Sequence, residues 1–309
     1  MSESESVAAP RPALLQVDAV ALKRQLRRLA AQAEPPWLHS EVSSRMAERL
    51  SLIKLQPRKV VQWSAFLGAS GADLNRAYPQ AAFMRVEPIE ALRSRSVAEL
   101  NSSRSWLDTL RGRDSAPVLL PQQVGDGDAE LLWANMYLHL SPDPQALLRL
   151  WQRALAVNGF VMFSCLGPDS LRELRSLYGA LGWPSAGPEW IDMHDIGDML
   201  VEAGFADPVM DQERISLTWR EPERMLDDLR ALGGNLSPQR FEGCRTKGWR
   251  AGLLRQLEAL RGPDGLLRLT LELVYGHAFK PQPRAVVAAE TRIPLDDMRA
   301  LMRKSGGSR

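Results

Sequence analysis

The chain has 309 residues, 39 Lys and Arg against 37 Asp and Glu, with 45% hydrophobic and 25% charged residues. This is the mix of a globular protein with a sizeable core, long enough for one large domain with additions or two small ones. The near-balanced charge leaves no strongly basic face for nucleic acid. Two cysteines far apart, Cys165 and Cys244, argue against a disulfide scaffold or a zinc site and fit a reducing compartment.

The opening MSESESVAAP is polar and acidic, lacks the apolar stretch of a signal peptide, and reads as a disordered tail. No apolar run reaches membrane-spanning length, so the cytoplasm is the expected compartment. Asp18 caps a predicted helix to about Ala33, which Pro35-Pro36 stop. Leu38, Val42, Met46 and Leu50 recur at helical spacing, predicting a second helix that ends before Pro57.

A short apolar strand is predicted over Lys59–Phe66, then a helix leading to Tyr78-Pro79, then a strand over Ala82–Val86. Glu87 ends that strand, and Pro88 suits the first turn of a following helix. Residues 93–116 are rich in Ser and Arg with weak periodicity and read as irregular. Val118–Leu120 and Glu130–Asn135 read as further strands. Asp143 and Pro144 open a helix whose apolar face is Ala146, Leu147, Leu150 and Ala154, with Asn158-Gly159 as its expected end. Phe160–Ser164 is a fifth strand. Strands alternating with helices at this pitch predict a doubly wound, mostly parallel sheet of Rossmann-like α/β type.

Further along, a helix is predicted over His194–Ala203, closed by Gly204, and a strand over Arg214–Trp219. Helices are predicted over Glu221–Leu232 and Trp249–Leu260. Leu267, Leu269, Leu271, Leu273 and Tyr275 alternate with Arg268, Thr270 and Glu272, which predicts an edge or antiparallel strand with one solvated face. A short helix over Leu295–Met302 precedes a Gly/Ser end.

In an open α/β sheet the ligand lies beyond the carboxyl ends of the strands, and the first strand-to-helix turn brings backbone amides to it. Here that turn runs from Gln62 to Gly68, with Gly71 beyond, and Glu87 stands where a ribose-binding acid belongs by spacing. The bland alternative for Glu87 is a solvated turn residue. His139, His194 and His277 read as structural hydrogen-bonding residues, with no spacing that suggests a metal. Arg24, Arg27 and Arg28 form a basic helix face, either simply solvated or available to an acidic partner.

Several segments carry a family resemblance. They are Leu131-Leu-Trp-Ala-Asn-Met-Tyr-Leu-His139, Leu155-Ala-Val-Asn-Gly-Phe-Val-Met-Phe-Ser164 and Gly167-Pro-Asp-Ser-Leu-Arg-Glu-Leu174. With them go Asp192–Leu200, Ala203–Asp211, Leu229–Asn235 and Tyr275–Lys280. Together they resemble an S-adenosylmethionine (SAM) methyltransferase domain, most closely the malonyl-[acyl-carrier protein] O-methyltransferases of biotin synthesis. The resemblance runs from about Trp37 to Lys280. It implies a class I methyltransferase fold over 37–280, an N-terminal tail and helix over 1–36, and a C-terminal tail over 281–309.

The resemblance also implies SAM as cofactor, with Ser64, Gly68, Glu87 and Asn135 against it and no catalytic side chain required. The implied substrate is a malonyl thioester on acyl-carrier protein, covered by the segment from Cys165 to Asp195 and the helices after Trp219. One part departs from the family pattern of an acid followed by alternating glycines. Gln62 stands at the acid position, Ser64 and Phe66 stand at two glycine positions, and only Gly68 matches. A side chain at those positions crowds the backbone where the cofactor's methionine end belongs, and resists positive φ. Two function classes follow: a methyltransferase, or a catalytically inactive pseudo-methyltransferase serving as a binding or assembly protein.

Overall fold

The computed structural model describes residues 17–103 and 116–283. The expected N-terminal tail, the 104–115 part of the irregular stretch and the helix expected over Leu295–Met302 lie outside them. One seven-stranded sheet organises the rest, with β1 Lys59–Trp63, β2 Ala82–Val86, β3 Val118–Leu119, β4 Ala129–Ala134, β5 Leu155–Leu166, β6 Ala206–Trp219 and β7 Leu267–Phe279. Its order is β3-β2-β1-β4-β5-β7-β6. The first five strands pair in parallel, and β7 runs antiparallel between β5 and β6. Residues 59–164 and 206–279 therefore share one sheet.

Both faces of the parallel strands are covered, so they read as apolar runs rather than alternating ones. Val61, Trp63, Leu132, Val161 and Phe163 face one core together with α1 Ala19–Ala30, α6 Pro144–Ala154 and α8 Met193–Glu202. Val60, Leu131, Trp133, Phe160 and Met162 face the other with α2 Trp37–Arg49 and α4 Gly71–Ala77. A third cluster joins α7 Arg172–Ala180, α9 Pro222–Leu232 and α10 Lys247–Glu258 to the start of β7 through Leu174, Met225, Leu257 and Leu267. Asp18 and Asp143 cap α1 and α6 as expected, each accepting from first-turn backbone amides.

Four expectations are corrected. β1 stops at Trp63, because Ser64 turns left-handed (φ 52°) into the short α3, Ala65–Gly68. The helix expected after Pro88 does form, but residues 93–103, expected to be irregular, belong to it as α5, Glu90–Ser103. Its apolar periodicity is weak because polar contacts hold it beside the buried Leu92: Ser96 Oγ donates to Glu87 Oε1, and Arg95 donates to Ala30 O and Ala33 O. Asn158-Gly159 is not a helix end. The α6 helix finishes at Ala154, and Asn158 (φ 64°) turns inside β5. A Cβ on Gly159 would come within 2.9 Å of Ala156 O and Glu130 O, so only glycine fits there. The expected polar face of β7 is not solvated at Glu272, which is 3% exposed and accepts from Asp169 N at 2.8 Å.

Candidate cofactor and acceptor site

The C-terminal ends of β1, β2 and β4 meet at the α3 loop. Ser64 N donates back to Val86 O at 2.7 Å, holding the loop over the end of β2. Phe66 N donates to Glu87 Oε1 at 2.8 Å, and Ser96 Oγ donates to the same oxygen at 2.6 Å. Asn135 gives its amide to His39 O and Gly68 O, both at 2.7 Å, while its Oδ1 accepts from Ser164 Oγ at 2.6 Å. The four residues expected at the cofactor are thus brought together. Asn135 fastens Gly68 directly, Ser64 heads the same loop, and Glu87 is joined to it through the Phe66 amide. All four are buried.

Burial sets the charge at this end. Glu87 is wholly enclosed, and desolvation pushes its carboxyl up to about 7 despite the two hydrogen bonds. Its second oxygen, Oε2, is sealed without a partner, as is Ser64 Oγ. Buried oxygens rarely stay unpaired. Oε2 is an acceptor of the kind a ribose hydroxyl would meet, but it is closed off in this structure, as is Ser64 Oγ. Phe66 departs from the glycine it replaces without projecting into a cavity. Its ring packs in the core, with the Arg95 guanidinium 4.0 Å from its centroid.

Beside this cluster lies a cavity of about 320 Å³. Leu38, Leu140, Leu166, Leu174, Trp190 and Leu236 give it apolar walls. Its roof is the segment 229–236, and α1 closes one side. Arg28 of α1 ties the two by donating to Arg230 O at 3.1 Å and to Gly233 O, and Asp18 N donates to Leu236 O at 2.9 Å. The Gln25 side chain reaches the roof at Gly233, where its Nε2 would lie 2.5 Å from an added Cβ. The cavity's polar lining includes Gln25, Arg28, His39, His139 and Arg230, and no carboxylate borders it. Burial holds His39 down to about 4 and His139 to about 3, so both rings are neutral.

None of Ser64, Gly68, Glu87 and Asn135 lines this cavity. Its lining from 166–190 and 229–232 belongs to the segments expected to cover the substrate, and Gly233–Leu236 follow the end of α9. Arg28 belongs to the basic face read as solvated or open to an acidic partner, and Gln25 carried no signal in the sequence.

Among known proteins, a malonyl-[acyl-carrier protein] O-methyltransferase of Gallionella capsiferriformans is 37% identical over 255 residues, 80% of this chain and 85% of the relative. One of Laribacter hongkongensis is 36% identical over 270 residues, 86% of this chain and 88% of the relative. The chain belongs to the malonyl-[acyl-carrier protein] O-methyltransferase family. No family model matches it. The fold agrees with a crystal structure from Bacillus halodurans assigned as a methyltransferase, at TM-score 0.52 and 13% identity, covering 77% of this chain and all of that one. At that identity the likeness is one of fold. Within the family frame, the tightly fastened α3 loop and the acid-free cavity stand side by side at the carboxyl ends of the strands, where open α/β sheets bind ligands.

Proposed function

We infer that this chain is a cytoplasmic SAM-dependent O-methyltransferase that esterifies the free carboxylate of malonyl-acyl-carrier protein in biotin synthesis. The observation that carries this reading is the reach of the family likeness, which extends to 85–88% of the relatives' length. In this reading 37–280 is the catalytic domain, with α1 of the 1–36 segment as its cap and 281–309 as a tail.

SAM, when bound, supplies an electrophilic methyl group for in-line displacement. Gly68 and Glu87 would hold it at the ends of β1 and β2 beside the Ser64 backbone, and Asn135 keeps the loop in place from β4. The acceptor needs no general base, because a carboxylate is already ionised near neutral pH. What the chain contributes is position and exclusion of water. The apolar walls strip hydration from the nucleophile, and a lining with no acid of its own does not repel it.

The purified chain, given SAM and malonyl-acyl-carrier protein, forms the methyl ester, read by mass spectrometry of the carrier protein. No ester from folded protein that does bind the malonyl carrier would favour a second reading, a catalytically silent binding protein. Two observations support that alternative: the fully enclosed Glu87 and a loop carrying Ser64 and Phe66 in place of glycine.

A further inference from the structure

His139 follows β4 in the one-turn segment Leu138–Leu140 and lines the cavity, yet it is 8% exposed. Its Nδ1 is sealed from solvent and has no partner, and among the described residues Nε2 has none either. A proton on a sealed Nδ1 would be an unsatisfied buried donor, so the favoured tautomer carries it on Nε2, the nitrogen that is not sealed. Gln25 of α1, also 8% exposed, repeats the pattern: its Oε1 is sealed and unpaired, leaving its amide N–H groups as the open atoms. Its neighbour His39 spends Nδ1 on Leu67 O at 2.7 Å and offers no second donor as a neutral ring. The cavity therefore presents two buried, unengaged donors inside apolar walls, with the Arg28 and Arg230 charges at its edge and no acid. That combination suits an apolar arm ending in a carboxylate.

We propose that His139, through Nε2–H and with the Gln25 amide as its companion, anchors the free carboxylate of the acyl acceptor and so selects malonyl over uncharged acyl groups. The proposal rests on the methyltransferase reading of the cavity. It makes His139 a specificity-determining residue, one that holds the nucleophile and takes no proton from it.

The test compares malonyl- and acetyl-N-acetylcysteamine binding by calorimetry, with excess S-adenosylhomocysteine present to prevent turnover. Wild type is expected to prefer the malonyl thioester by roughly tenfold or more, as a charged hydrogen bond would give. His139→Leu should abolish that preference while leaving acetyl binding in place, and His139→Gln, which keeps an N–H donor, should restore part of it. Should His139→Leu fold poorly, labelled histidine in the wild type gives the same answer. Its four histidines are resolvable by NMR, and the His139 ring should respond to the malonyl but not the acetyl compound. A preference that survives in His139→Leu, a loss of both ligands alike, a preference that instead vanishes with Arg28→Gln, or a silent His139 ring would each overturn the proposal. Methyl ester formation on malonyl-acyl-carrier protein is scored separately. An enzyme that turns over without malonyl preference sinks only this inference, and a malonyl-selective protein that never turns over sinks only the enzymatic reading.

Discussion

The Phe66 backbone N–H and the Glu87 carboxylate are bonded at 2.8 Å, which locks the loop after β1 to the end of β2. The link makes one residue both a candidate ribose acceptor and a structural fastener, and the two roles can be separated by pH. Burial lifts the Glu87 carboxyl from 4.5 to about 7. The native state then holds a proton that the unfolded chain has already released. The stability tied to Glu87 is complete below the unfolded value, and it is lost as pH rises through 7. Glu87→Gln removes the ionisation and keeps an acceptor oxygen for Phe66. Between pH 5 and pH 8 the variant should gain about 2–3 kcal/mol relative to wild type, read from urea midpoints. At the same time its SAM affinity should fall roughly tenfold or more. A variant with unchanged SAM affinity would remove Glu87 from the cofactor site.

Ser64 combines a left-handed backbone (φ 52°) with a sealed hydroxyl that has no partner. Each is a cost, and glycine relieves both at the price of a freer unfolded chain. Ser64→Gly should therefore stabilise the protein by about 1 kcal/mol, measured as a higher thermal midpoint. A lower midpoint would mean that the hydroxyl is bonded in solution.

The two neutral histidines work in the opposite direction from Glu87. Their folded values, about 4 for His39 and about 3 for His139, lie below the unfolded 6.5. The unfolded chain takes up protons first, so the stability they contribute is full above pH 6.5 and drains away as pH falls toward 4 and then 3. His139→Gln removes one of the two. Its loss of stability between pH 7 and pH 4.5 should be smaller than that of wild type by ~2–3 kcal/mol, again from urea midpoints. Parallel pH profiles for the two proteins would show His139 to be solvated.

How far the sequence could be read follows from where each signal arises. The β2 strand, the α6 cap at Asp143 and the antiparallel β7 were legible because local pattern and burial agree there. Helix α5 was legible only at its start after Pro88, because from residue 93 on its support comes from Glu87 and from the carbonyls of Ala30 and Ala33, contacts made by polar side chains that give no apolar periodicity. The polar face of β7 misled for the same reason. Alternation predicts solvent, but Glu272 is covered by the turn at Gly167–Ser170, whose Asp169 amide it accepts. At the site, the residues expected to touch the cofactor do gather, since strand ends fix them. The cavity's donors on α1 and after β4 meet only through the tertiary packing of α1 against segment 229–236, and no spacing along the chain encodes that.

The loop itself gives the most decisive comparison. Gln62, Ser64 and Phe66 replace the acid and two glycines of the family pattern, and the question is whether Phe66 blocks the methionine end of SAM. Its ring lies in the core with 6% exposure, stacked under the Arg95 guanidinium. An aromatic already packed on the protein's own side takes nothing from the ligand. The triple change Gln62→Asp, Ser64→Gly, Phe66→Gly should therefore leave SAM affinity within a small factor of wild type. It should, however, cost about 3–5 kcal/mol of stability for the lost core ring, partly offset at Ser64. Calorimetric SAM titration and thermal melts of both proteins measure the two quantities, with methyl transfer to malonyl-acyl-carrier protein as the third. A wild type that neither binds SAM nor transfers, beside a folded triple variant that binds, would show that these three residues extinguished the cofactor site and would leave the binding-protein reading in place.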